Sequence, residues 1–380
     1  MEGNRNIVHL DLDSFFVSVE RLKNSKLHGM PLIVGGGERG VVAACSYEAR
    51  KFGVHSAMPI RQAKYLCPQA IIISGDYDEY SKYSTLVTDI IRDRVPLLEK
   101  ASIDEFYADL SGMDRFFNLP SFIVELKNEI VKHSGLPISY ALATNKLVGK
   151  IATNEVKPNG QITIAPGQER AYVAPLNTRK MPGIGEKTNL VLYKMGIRTF
   201  EVLAQMPENM LVARFGKAGG ALSLRARGID ASEVIPYSEQ KSISTENTFQ
   251  ADTMNMEFLH ITIVNMVEKI GFELRKQEKL TGCIAVKIRY SDFNTVSKQR
   301  KIHYTNADHL LIATAKELFQ QLYEKRVMIR LLGIKFTDLV QGTHQIDLFT
   351  DTATDIQLYQ AIDYLKKKYG AGAVMRASGI

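Results

Sequence analysis

The chain has 380 residues, 45% hydrophobic and 23% charged, which predicts a globular protein of several domains because one core rarely serves more than about 250–300 residues. It contains no apolar run near the roughly 18 residues of a membrane span, no signal-peptide pattern, and only three scattered cysteines, Cys45, Cys67 and Cys283. These features exclude a membrane protein and a disulfide-linked or zinc-bound fold, indicate a cytoplasmic location, and leave the net charge of +7 to be explained.

The first predicted element is a buried strand over residues 6–12, a short and mostly apolar run. Asp11 lies near the carboxyl end of this strand. Asp13 and Ser14 come next and are predicted to cap the helix that starts at Phe15, because short polar side chains satisfy the free amide groups of a helix N-terminus. One carboxylate is thus expected at the end of a strand and another at the start of a helix.

Two strands are predicted, over residues 31–35 and 40–46, around the run Gly35-Gly36-Gly37. Gly35, Gly37 and Gly40 fit the GxGxxG pattern of dinucleotide-binding folds. That fingerprint has to open a helix, whereas the residues that follow here are β-type, so a hairpin loop is predicted instead. Further along the chain, residues 81–94 and 122–133 have the spacing of amphipathic helices.

A second acidic stretch, Asp104 and Glu105, lies between two runs predicted to form a hairpin. Neighbouring side chains of a regular strand point to opposite faces, so both carboxylates can reach one site only from a turn or bulge. If they meet Asp11, the three carboxylates would repel one another without a cation, and such hard oxygen ligands suit Mg²⁺. A site of this kind is typical of phosphoryl or nucleotidyl transfer.

Residues 181–187 read MPGIGEK, and a helical pattern follows them until Gly196. Glycines let the backbone approach a ligand closely, and the amide groups of a helix N-terminus, with Lys187, can hold a DNA phosphate without reading a base. The pattern is typical of a helix-hairpin-helix motif with Gly183, Gly185 and Lys187 as candidate DNA contacts. A plain pair of packed helices is the alternative.

A polar segment near residue 238 precedes a regular series of elements. They are a strand (242–249), a helix (256–278), two strands (283–290 and 296–304), a helix (308–325) and a strand (329–338). This β-α-β-β-α-β order predicts a ferredoxin-like domain with both helices on one face of its sheet. Lys287 and Arg289 alternate with apolar residues, and Lys298 and Arg300 repeat that spacing in the next strand. We expect all four on the free face, where they could bind a phosphate backbone; an ordinary solvated sheet is the alternative.

The charge is unevenly distributed along the chain. Residues 1–168 carry 19 basic and 19 acidic side chains, residues 169–345 carry 25 and 18, and residues 346–380 carry 4 and 4. The whole excess lies in the segment of the hairpin and the basic sheet. An acidic metal site joined to a basic region suits an enzyme that acts on a polyanion, although a surplus for solubility would give the same charge.

In their joint order, these motifs resemble those of the Y-family translesion DNA polymerases of the DNA polymerase IV type. The resemblance covers nearly the whole chain and rests on residues 11–16 (DLDSFF), 46–54 (SYEARKFGV), 102–105 (SIDE), 145–160, the PGIG hairpin and 330–334 (RLLGI). It implies an α+β multidomain right-hand polymerase. The implied domains are a palm (1–12 and 75–168), fingers (13–74), a helix-hairpin-helix thumb (169–235), a linker (236–241), a ferredoxin-like little finger (242–344) and a tail (345–380).

The resemblance also implies a ligand set for two Mg²⁺ ions. Asp11 and Asp104 would bind both ions, Glu105 the catalytic ion, and the Leu12 carbonyl the ion of the nucleotide, while Asp13 stays a helix cap. Two ions suit nucleotidyl transfer because one activates the primer 3′-hydroxyl and the other neutralises the leaving pyrophosphate.

Further residues are implied to bind the incoming nucleotide. Tyr47, Arg50 and Lys157 would hold its triphosphate, and Tyr47 and Arg50 share a face of a predicted helix because they are three residues apart. Phe16 corresponds to the steric gate of the family, a ring that leaves no room for a 2′-hydroxyl. Phe15 lies beside it in the nucleotide pocket.

Residues 345–349 (QIDLF) resemble a peptide that binds the sliding clamp (its beta subunit). Gln345 would be the polar anchor, and Leu348 and Phe349 the apolar contacts; a packing contact of the tail is the alternative. Chains of this family often end at the peptide. Here residues 350–380 follow, with a helix predicted over 356–369 and no assigned role.

The resemblance predicts a monomeric, low-fidelity, template-directed DNA polymerase that uses dNTPs and primer-template DNA and has no proofreading site. Small side chains at Ala43, Ala44 and Ser46 imply a shallow roof over the new base pair and poor discrimination by shape. Two rivals are a noncatalytic DNA-damage scaffold of the same fold and a palm-domain nucleotide cyclase. The complete set of carboxylates argues against the scaffold, and the basic excess argues against the cyclase.

Overall fold

The computed structural model describes residues 5–37, 39–323, 327–342, 353–370 and 372–379. The chain forms two compact units, Met1–Ser238 and Glu239–Ile380. The division between them falls within the predicted linker, residues 236–241, whereas the boundaries of palm, fingers and thumb remain predictions. In the described ranges, no helix has both the length and the apolar character needed to cross a membrane.

Unit 1 combines two sheets with a helical region. Its strands are β1 (Ile7–Leu12), β2 (Leu32–Gly35), β3 (Val42–Cys45), β4 (Ile71–Ile73), β5 (Leu97–Lys100), β6 (Glu105–Asp109), β7 (Ile138–Ala143) and β8 (Gln161–Thr163). Its helices are α1 (Phe15–Lys23), α2 (Tyr47–Arg50), α3 (Ile60–Leu66), α4 (Tyr77–Arg92), α5 (Leu119–Ser134), α6 (Lys146–Val156), α7 (Glu169–Val173), α8 (Glu186–Lys194), α9 (Phe200–Gln205), α10 (Glu208–Phe215) and α11 (Lys217–Ala226). Short 3₁₀ helices cover Ser25–Leu27, Met113–Arg115 and Thr178–Lys180.

A five-stranded sheet in the order β5-β6-β1-β7-β8 lies at the centre of unit 1. Strand β1 is antiparallel to both β6 and β7, and all its residues are buried. Because side chains alternate along a strand, Val8, Leu10 and Leu12 enter the large core with α4 and α5. His9 and Asp11 point to the opposite face, which α6 covers. The predicted strand at 6–12 and the two predicted amphipathic helices are confirmed.

A three-stranded sheet, β3-β2-β4, occupies the segment predicted as fingers. Strand β2 is antiparallel to β3 and parallel to β4. The glycine-rich residues connect β2 to β3 and do not open a helix, so the predicted hairpin is confirmed. A Cβ atom at Gly40 would lie 1.5 Å from the Gly36 carbonyl oxygen, which explains why this position of the loop needs glycine.

Short helices α7 to α11 share one apolar core, which includes the buried side chains of Leu192, Phe200 and Leu211. The predicted hairpin precedes α8: Gly183 has a φ of 89° and Gly185 is the N-cap residue of the helix. The element before the hairpin is the 3₁₀ helix Thr178–Lys180. The sequence pattern identified the hairpin and the second helix but did not predict that this first element is so short.

Unit 2 is a two-layer α/β domain. Its elements are β9 (Ser242–Thr253), α12 (Met256–Lys276), β10 (Lys279–Tyr290), β11 (Thr295–Thr305), α13 (Asp308–Leu322), β12 (Ile329–Gln341), α14 (Ala353–Tyr369) and a 3₁₀ helix (Ala377–Gly379). The sheet order is β11-β10-β12-β9, with all neighbours antiparallel. Helices α12 and α13 pack together against this sheet. The predicted β-α-β-β-α-β order, with split βαβ units and both helices on one face of the sheet, is confirmed; its central strands are the second and fourth, β10 and β12.

The free face of this sheet differs from the prediction in one strand. Lys298 pairs directly with Val286, and Arg300 with Ile284. Directly paired residues of neighbouring strands lie on the same face, and Ile284 and Val286 are buried in the core beneath the helices. Arg300 accordingly donates a hydrogen bond of 2.6 Å to Glu317 of α13. The expectation that Lys298 and Arg300 share a face with Lys287 and Arg289 is therefore wrong.

The register between β10 and β11 is the physical reason for this error. The spacing of charges within each strand does not determine how the strands pair, and a shift of one residue exchanges the two faces. Lys301 lies opposite Cys283, and Lys335 of β12 lies opposite Ala285. The register thus places these two lysines on the free face with Lys287 and Arg289.

Candidate active site

The two acidic stretches meet at one end of the central sheet of unit 1. Asp11 in β1 pairs directly with Glu105, the first residue of β6. The Leu12 amide donates a hydrogen bond of 3.0 Å to the Asp104 carbonyl oxygen. Ser102 orders the turn, because its hydroxyl lies 2.6 Å from Asp104 Oδ1 and accepts the Glu105 amide at 3.1 Å. The predicted hairpin with acids at its tip is confirmed.

Helix α6 and its C-terminus place four side chains on the acidic face of the sheet. These side chains share one helix face, with spacings of four, three and four residues, and are Lys146, Lys150, Thr153 and Lys157. Lys150 donates a hydrogen bond of 2.7 Å to Glu105. Lys157 forms an ion pair with Asp11. Asp11 and Glu105 therefore each pair with a lysine of their own.

Burial dominates the electrostatics of Asp11, which is only 5% exposed. Burial raises the pKa of Asp11 to about 7; Lys157 lowers it, and the negative charges of Asp104 and Glu105 raise it further. An anion in such surroundings is stabilised by any cation that can approach it. The site therefore favours the binding of a positive charge beyond that of the two lysines.

The cluster has a donor set that fits a divalent cation. Among the described residues, His9, Asp11 and Glu105 each bring one potential ligand atom within 4.8 Å of the others. Carboxylate oxygens are the ligands that hard divalent cations prefer. Asp104 stands apart from this group because its carboxylate contacts Ser102, although its charge still acts on Asp11. Its role as a ligand remains a prediction.

The turn after α6 holds Lys157 in place. Asn159 has a φ of 52°, and a Cβ atom at Gly160 would lie 1.8 Å from the Val156 carbonyl oxygen. Lys127 of α5 donates a hydrogen bond of 2.9 Å to the Asn159 carbonyl. These constraints explain the sequence of residues 157–160 (KPNG), because the turn directs the Lys157 side chain back toward the sheet.

Asp13 does not have its predicted role as a helix cap. Ser14 occupies the N-cap position of α1, with a φ of 45° and no side-chain cap. The Asp13 carboxylate instead accepts hydrogen bonds from the Ser139 hydroxyl at 2.9 Å and from the Asn159 amide at 2.7 Å. Asp13 is 2% exposed, and a buried carboxylate needs such donors more than an exposed helix end needs a cap. It ties β1 to the turn that carries Lys157.

Tyr47 and Arg50 lie together on α2, as predicted. The Arg50 guanidinium carbon is 4.8 Å from the centre of the Tyr47 ring. The Tyr47 hydroxyl is 3.5 Å from Asp13 Oδ1, which connects this helix with the end of β1. Burial and the charge of Asp13 raise the pKa of Tyr47 to about 12. The hydroxyl therefore stays protonated at neutral pH and can donate a hydrogen bond to an anion.

Phe16 is partly buried and its ring is held by a second aromatic residue. It stacks on Tyr80 with a distance of 4.2 Å between ring centres and an angle of 13°. The Tyr80 hydroxyl donates a hydrogen bond of 2.8 Å to Glu20. Phe15 is buried in the core. A ring fixed in this way can present a rigid edge to a small ligand.

The remaining predicted site residues belong to the hairpin of unit 1, to unit 2 and to the tail. Gly183, Gly185 and Lys187 are exposed at the hairpin. In unit 2, Arg289 donates a hydrogen bond of 2.9 Å to Thr295, and Lys287 pairs with Glu246 at 2.5 Å. The three predicted clamp-binding residues, Gln345, Leu348 and Phe349, lie outside the described residues.

The structure adds three residues that the sequence reasoning missed. His9 belongs to the acidic cluster, and a histidine within an apolar strand next to Asp11 was the available signal. Lys150 contacts Glu105, and its distance of seven residues from Lys157 placed both on one helix face. Tyr80 supports Phe16 from the start of α4, and no local pattern connected these two aromatic rings.

Known proteins are similar to this chain in both sequence and fold. The profile of the impB/mucB/samB family matches residues 10–154, and that of the impB/mucB/samB family C-terminal domain matches residues 240–348. DNA polymerase IV of Dehalococcoides mccartyi is 38% identical over 97% of this chain and 96% of that protein. DNA polymerase IV of Streptococcus agalactiae is 38% identical over 89% of this chain and 95% of that protein.

A solved structure supports the same relationship. A Y-family DNA polymerase chimera superposes with a TM-score of 0.79 and 26% sequence identity, over 89% of this chain and all of that one. Two family profiles, relatives that are 38% identical over most of both chains, and the fold agree. The chain belongs to the impB/mucB/samB family and is a Y-family DNA polymerase of the DNA polymerase IV type.

Proposed function

We propose that this chain is a low-fidelity translesion polymerase that adds dNTPs to a primer 3′-hydroxyl by two-metal-ion nucleotidyl transfer, releases pyrophosphate and does not proofread. The observation that carries the proposal is the pairing of Asp11 with Glu105, with Asp104 fixed beside them by the Leu12 amide. This arrangement supports a site of three carboxylates and one main-chain carbonyl at a single end of the sheet.

Asp11, Asp104, Glu105 and the Leu12 carbonyl would hold two Mg²⁺ ions. When bound, the ions activate the primer hydroxyl and neutralise charge on the leaving pyrophosphate. The raised pKa of Asp11 fits this role, because a group that is poorly stable as a buried anion gains most from a cation. Asp13 keeps the end of β1 in place through Ser139 and Asn159.

Tyr47, Arg50 and Lys157 would bind the triphosphate. A phenol that stays protonated, a guanidinium fork and an ammonium group can each donate to phosphate oxygens and align the nucleotide with the primer. Lys157 pairs with Asp11 in this structure. Its flexible stem lets it exchange a carboxylate for a phosphate, since a lysine ammonium is a mobile point charge.

Primer-template DNA would contact the hairpin of Gly183, Gly185 and Lys187 and the basic face with Lys287 and Arg289. Phosphate contacts of this type are independent of sequence and weaken with salt. The sliding clamp would bind Gln345, Leu348 and Phe349. We also infer a monomer that works in the cytoplasm, in agreement with three cysteines that are all free and buried.

Primer extension tests the proposal directly. Purified chain with Mg²⁺ and four dNTPs should extend a primer on an undamaged template and past an abasic or adducted base, and Asp104→Ala should abolish both. Asp78→Ala is a matched control, since Asp78 is an exposed acid in the first turn of α4. A wild-type chain that extends no primer would refute the proposal and favour a noncatalytic scaffold. An active Asp104→Ala variant would refute the assigned metal ligands.

Phe16→Ala tests the steric gate. Removal of the ring that stacks on Tyr80 should raise ribonucleotide insertion about tenfold or more relative to dNTP insertion, the range expected when a pocket stops excluding one small group. Phe116→Ala is the control, because Phe116 is 82% exposed. An unchanged ratio of ribonucleotide to deoxynucleotide insertion would remove the gate assignment.

A further inference from the structure

His9 is a fully buried histidine in the middle of the active-site face. It precedes Asp11 by two residues in β1 and therefore points to the same side of the sheet. Its Nδ1 atom lies 2.9 Å from Thr153 Oγ1, whereas its Nε2 atom is buried without a hydrogen-bond partner. Leaving a buried polar atom without a partner is unfavourable. Packing in the core therefore does not explain why a histidine occupies this position.

The Nε2 atom points toward the acids. It lies 4.0 Å from Oε1 of Glu105, whose other oxygen accepts a hydrogen bond from Lys150 at 2.7 Å. The His9 ring is packed on Tyr107, with 4.7 Å between ring centres. Helix α6 can lie close above His9 because residue 149 is glycine, where a Cβ atom would come 3.3 Å from His9 Cβ. These contacts fix the plane of the imidazole.

The direction of a hydrogen bond at Nε2 depends on which ring nitrogens of His9 carry hydrogen. A protonated imidazole would donate from both nitrogens, so only the neutral ring leaves the direction at Nε2 open. A neutral imidazole carries one hydrogen, so one nitrogen donates and the other accepts. Whether Nε2 donates to Glu105 or presents its lone pair therefore depends on the partner of Nδ1.

Thr153 decides this question, because its hydroxyl has a single hydrogen. Oγ1 lies 2.9 Å from His9 Nδ1, 2.9 Å from the Gly149 carbonyl and 3.3 Å from the His9 carbonyl. If the hydroxyl donates to Nδ1, the ring hydrogen is on Nε2 and faces Glu105. If it donates to either carbonyl, Nδ1 carries the hydrogen and the Nε2 lone pair faces a carboxylate, which is repulsive. The first arrangement avoids this repulsion.

We propose that His9 is a positioning residue, anchored at Nδ1 by Thr153, whose Nε2 donates a hydrogen bond to Glu105 and fixes the orientation of this carboxylate toward Asp11. The proposal rests on the proposed function, in which Glu105 is a metal ligand. Nε2 and Oε1 are 4.0 Å apart in this structure, so the proposed bond requires the Glu105 carboxylate to turn toward the ring. His9 would then supply a donor that stays in place when Lys150 moves, since a ligand carboxylate is oriented by its own hydrogen bonds.

The tautomer of His9 can be measured without any turnover. Long-range ¹H–¹⁵N correlation on the ¹⁵N-labelled full-length chain, in EDTA, should show a histidine with its hydrogen on Nε2 and a hydrogen-bonded, unprotonated Nδ1. His9→Gln identifies the signal by its loss, and Thr153→Val should shift it while Thr153→Ser restores it. A His9 signal with the hydrogen on Nδ1 would overturn the proposal.

The kinetic test separates a positioning role from direct metal ligation. We expect His9→Phe to lower kcat for single-nucleotide insertion about 10–100-fold, the usual effect of losing an outer hydrogen bond to a metal ligand, with a small change in KM for dNTP. The loss should be equal with Mg²⁺ and Mn²⁺, and Thr153→Val should give part of it. A loss confined to Mn²⁺ would indicate that the Nε2 lone pair binds the ion and would overturn the proposal.

These experiments distinguish a failure of this inference from a failure of the proposed function. An inactive wild-type chain with the Nε2–H tautomer would refute the polymerase mechanism and leave the hydrogen-bond arrangement standing. An active wild-type chain whose His9→Phe variant is folded and fully active would refute the positioning role alone. Thermal unfolding of each variant shows whether the domain is folded in the assay.

Discussion

Two buried charge clusters in this chain have opposite organisation. In unit 1, Asp11 and Glu105 are each held by one lysine of α6 or its C-terminus. In unit 2, a single arginine of α12, Arg275, holds two acids, Asp308 at the start of α13 and Asp363 in α14. The cluster of unit 1 brings acids together, each paired with a lysine that a ligand can replace. The cluster of unit 2 surrounds one arginine with two acids.

The cluster of unit 2 is saturated. Arg275 donates to Asp363 at 2.8 and 3.0 Å, to Asp308 at 2.7 and 3.3 Å, and to the Asn306 carbonyl at 2.9 Å. Its guanidinium also lies 4.8 Å from the centre of the Tyr359 ring. Burial opposes its charge, but hydrogen bonds and the negative charges of Asp363 and Asp308 raise the pKa of Arg275. The result is a structural link that docks α14 onto α12 and α13.

The difference shows what distinguishes a functional charge cluster from a structural one. A planar guanidinium bound on two sides leaves no donor for a ligand, whereas a lysine makes a point contact that a phosphate or a metal ion can replace. Asp11 and Glu105 each pair with their lysine through one carboxylate oxygen, which leaves the other oxygen able to bind an external cation. Four experiments test this contrast.

The largest effect is expected for Asp11→Asn. This change removes a metal ligand and should lower the rate of single-nucleotide insertion about 10³-fold, equivalent to the several kcal/mol that metal ligation contributes to such reactions. The free energy of unfolding should not fall, because burial already destabilises the Asp11 anion. Urea titration measures the stability of the same sample.

Asp363→Asn is the matched change in the other cluster. It should reduce stability, because Arg275 loses a charged partner, while insertion by the folded chain stays normal. If Asp11→Asn instead lost several kcal/mol of stability and Asp363→Asn lost activity, the functional and structural assignments of the two clusters would be reversed.

Arg275→Met is expected to have the next largest effect, on stability. It leaves Asp308 and Asp363 without their cation, and breaking a buried ion pair on one side costs about 3–5 kcal/mol. Hydrogen exchange of the α14 amides should accelerate, since the helix loses its link to α12. Lys276→Met is the control, because Lys276 is the next residue along α12 and its side chain is 58% exposed.

Wild-type exchange rates in the Arg275→Met variant would show that apolar contacts of Tyr359, which is 5% exposed, hold α14 without the arginine. In that case Arg275 and its two acids would not be what holds α14 against α12 and α13.

Lys157→Met should have a smaller effect, on the use of nucleotide. Hydrogen bonds to charged groups contribute about 1.5–3 kcal/mol, so kcat/KM for dNTP should fall about 10–100-fold with little change in DNA affinity. Lys180→Met is the control: Lys180 also pairs with an acid, Glu155 of α6, but this pair is exposed. Steady-state insertion kinetics measure both variants. An unchanged kcat/KM would confine Lys157 to its contact with Asp11.

Much of the functional site could be predicted because its residues are local in sequence. The hairpin tip of Asp104 and Glu105 and the shared helix face of Tyr47 and Arg50 follow from the periodicity of strands and helices, and the structure confirms both. The family profiles and relatives likewise support the resemblance that named the fold. Local pattern is enough when the relevant contacts lie within one element or one turn.

The errors arise where the answer depends on pairing between distant segments. Asp13 was expected to cap α1, but its partners come from 126 and 146 residues away. Lys298 and Arg300 have the right spacing within β11, yet the register with β10 puts them on the helix-covered face. His9 was overlooked for the same reason, since its neighbour Thr153 lies in α6.

The final prediction concerns pH and the metal-free chain. The pKa of Asp11 is raised from 3.8 to about 7 in the folded state, so the folded chain keeps a proton that the unfolded chain has released. The free energy of unfolding should therefore fall as pH rises from about 4 to about 7 and level off above that range. The relevant comparison is urea denaturation in EDTA of the wild type and of Asp11→Asn. The difference between them should grow across this interval, because the variant has no proton to lose, and added Mg²⁺ should abolish the slope of the wild type by favouring the anion. A slope that persists unchanged in Asp11→Asn would mean that Lys157 neutralises Asp11 as completely as Arg275 neutralises Asp363, and the contrast between the two clusters would then lie only in their geometry.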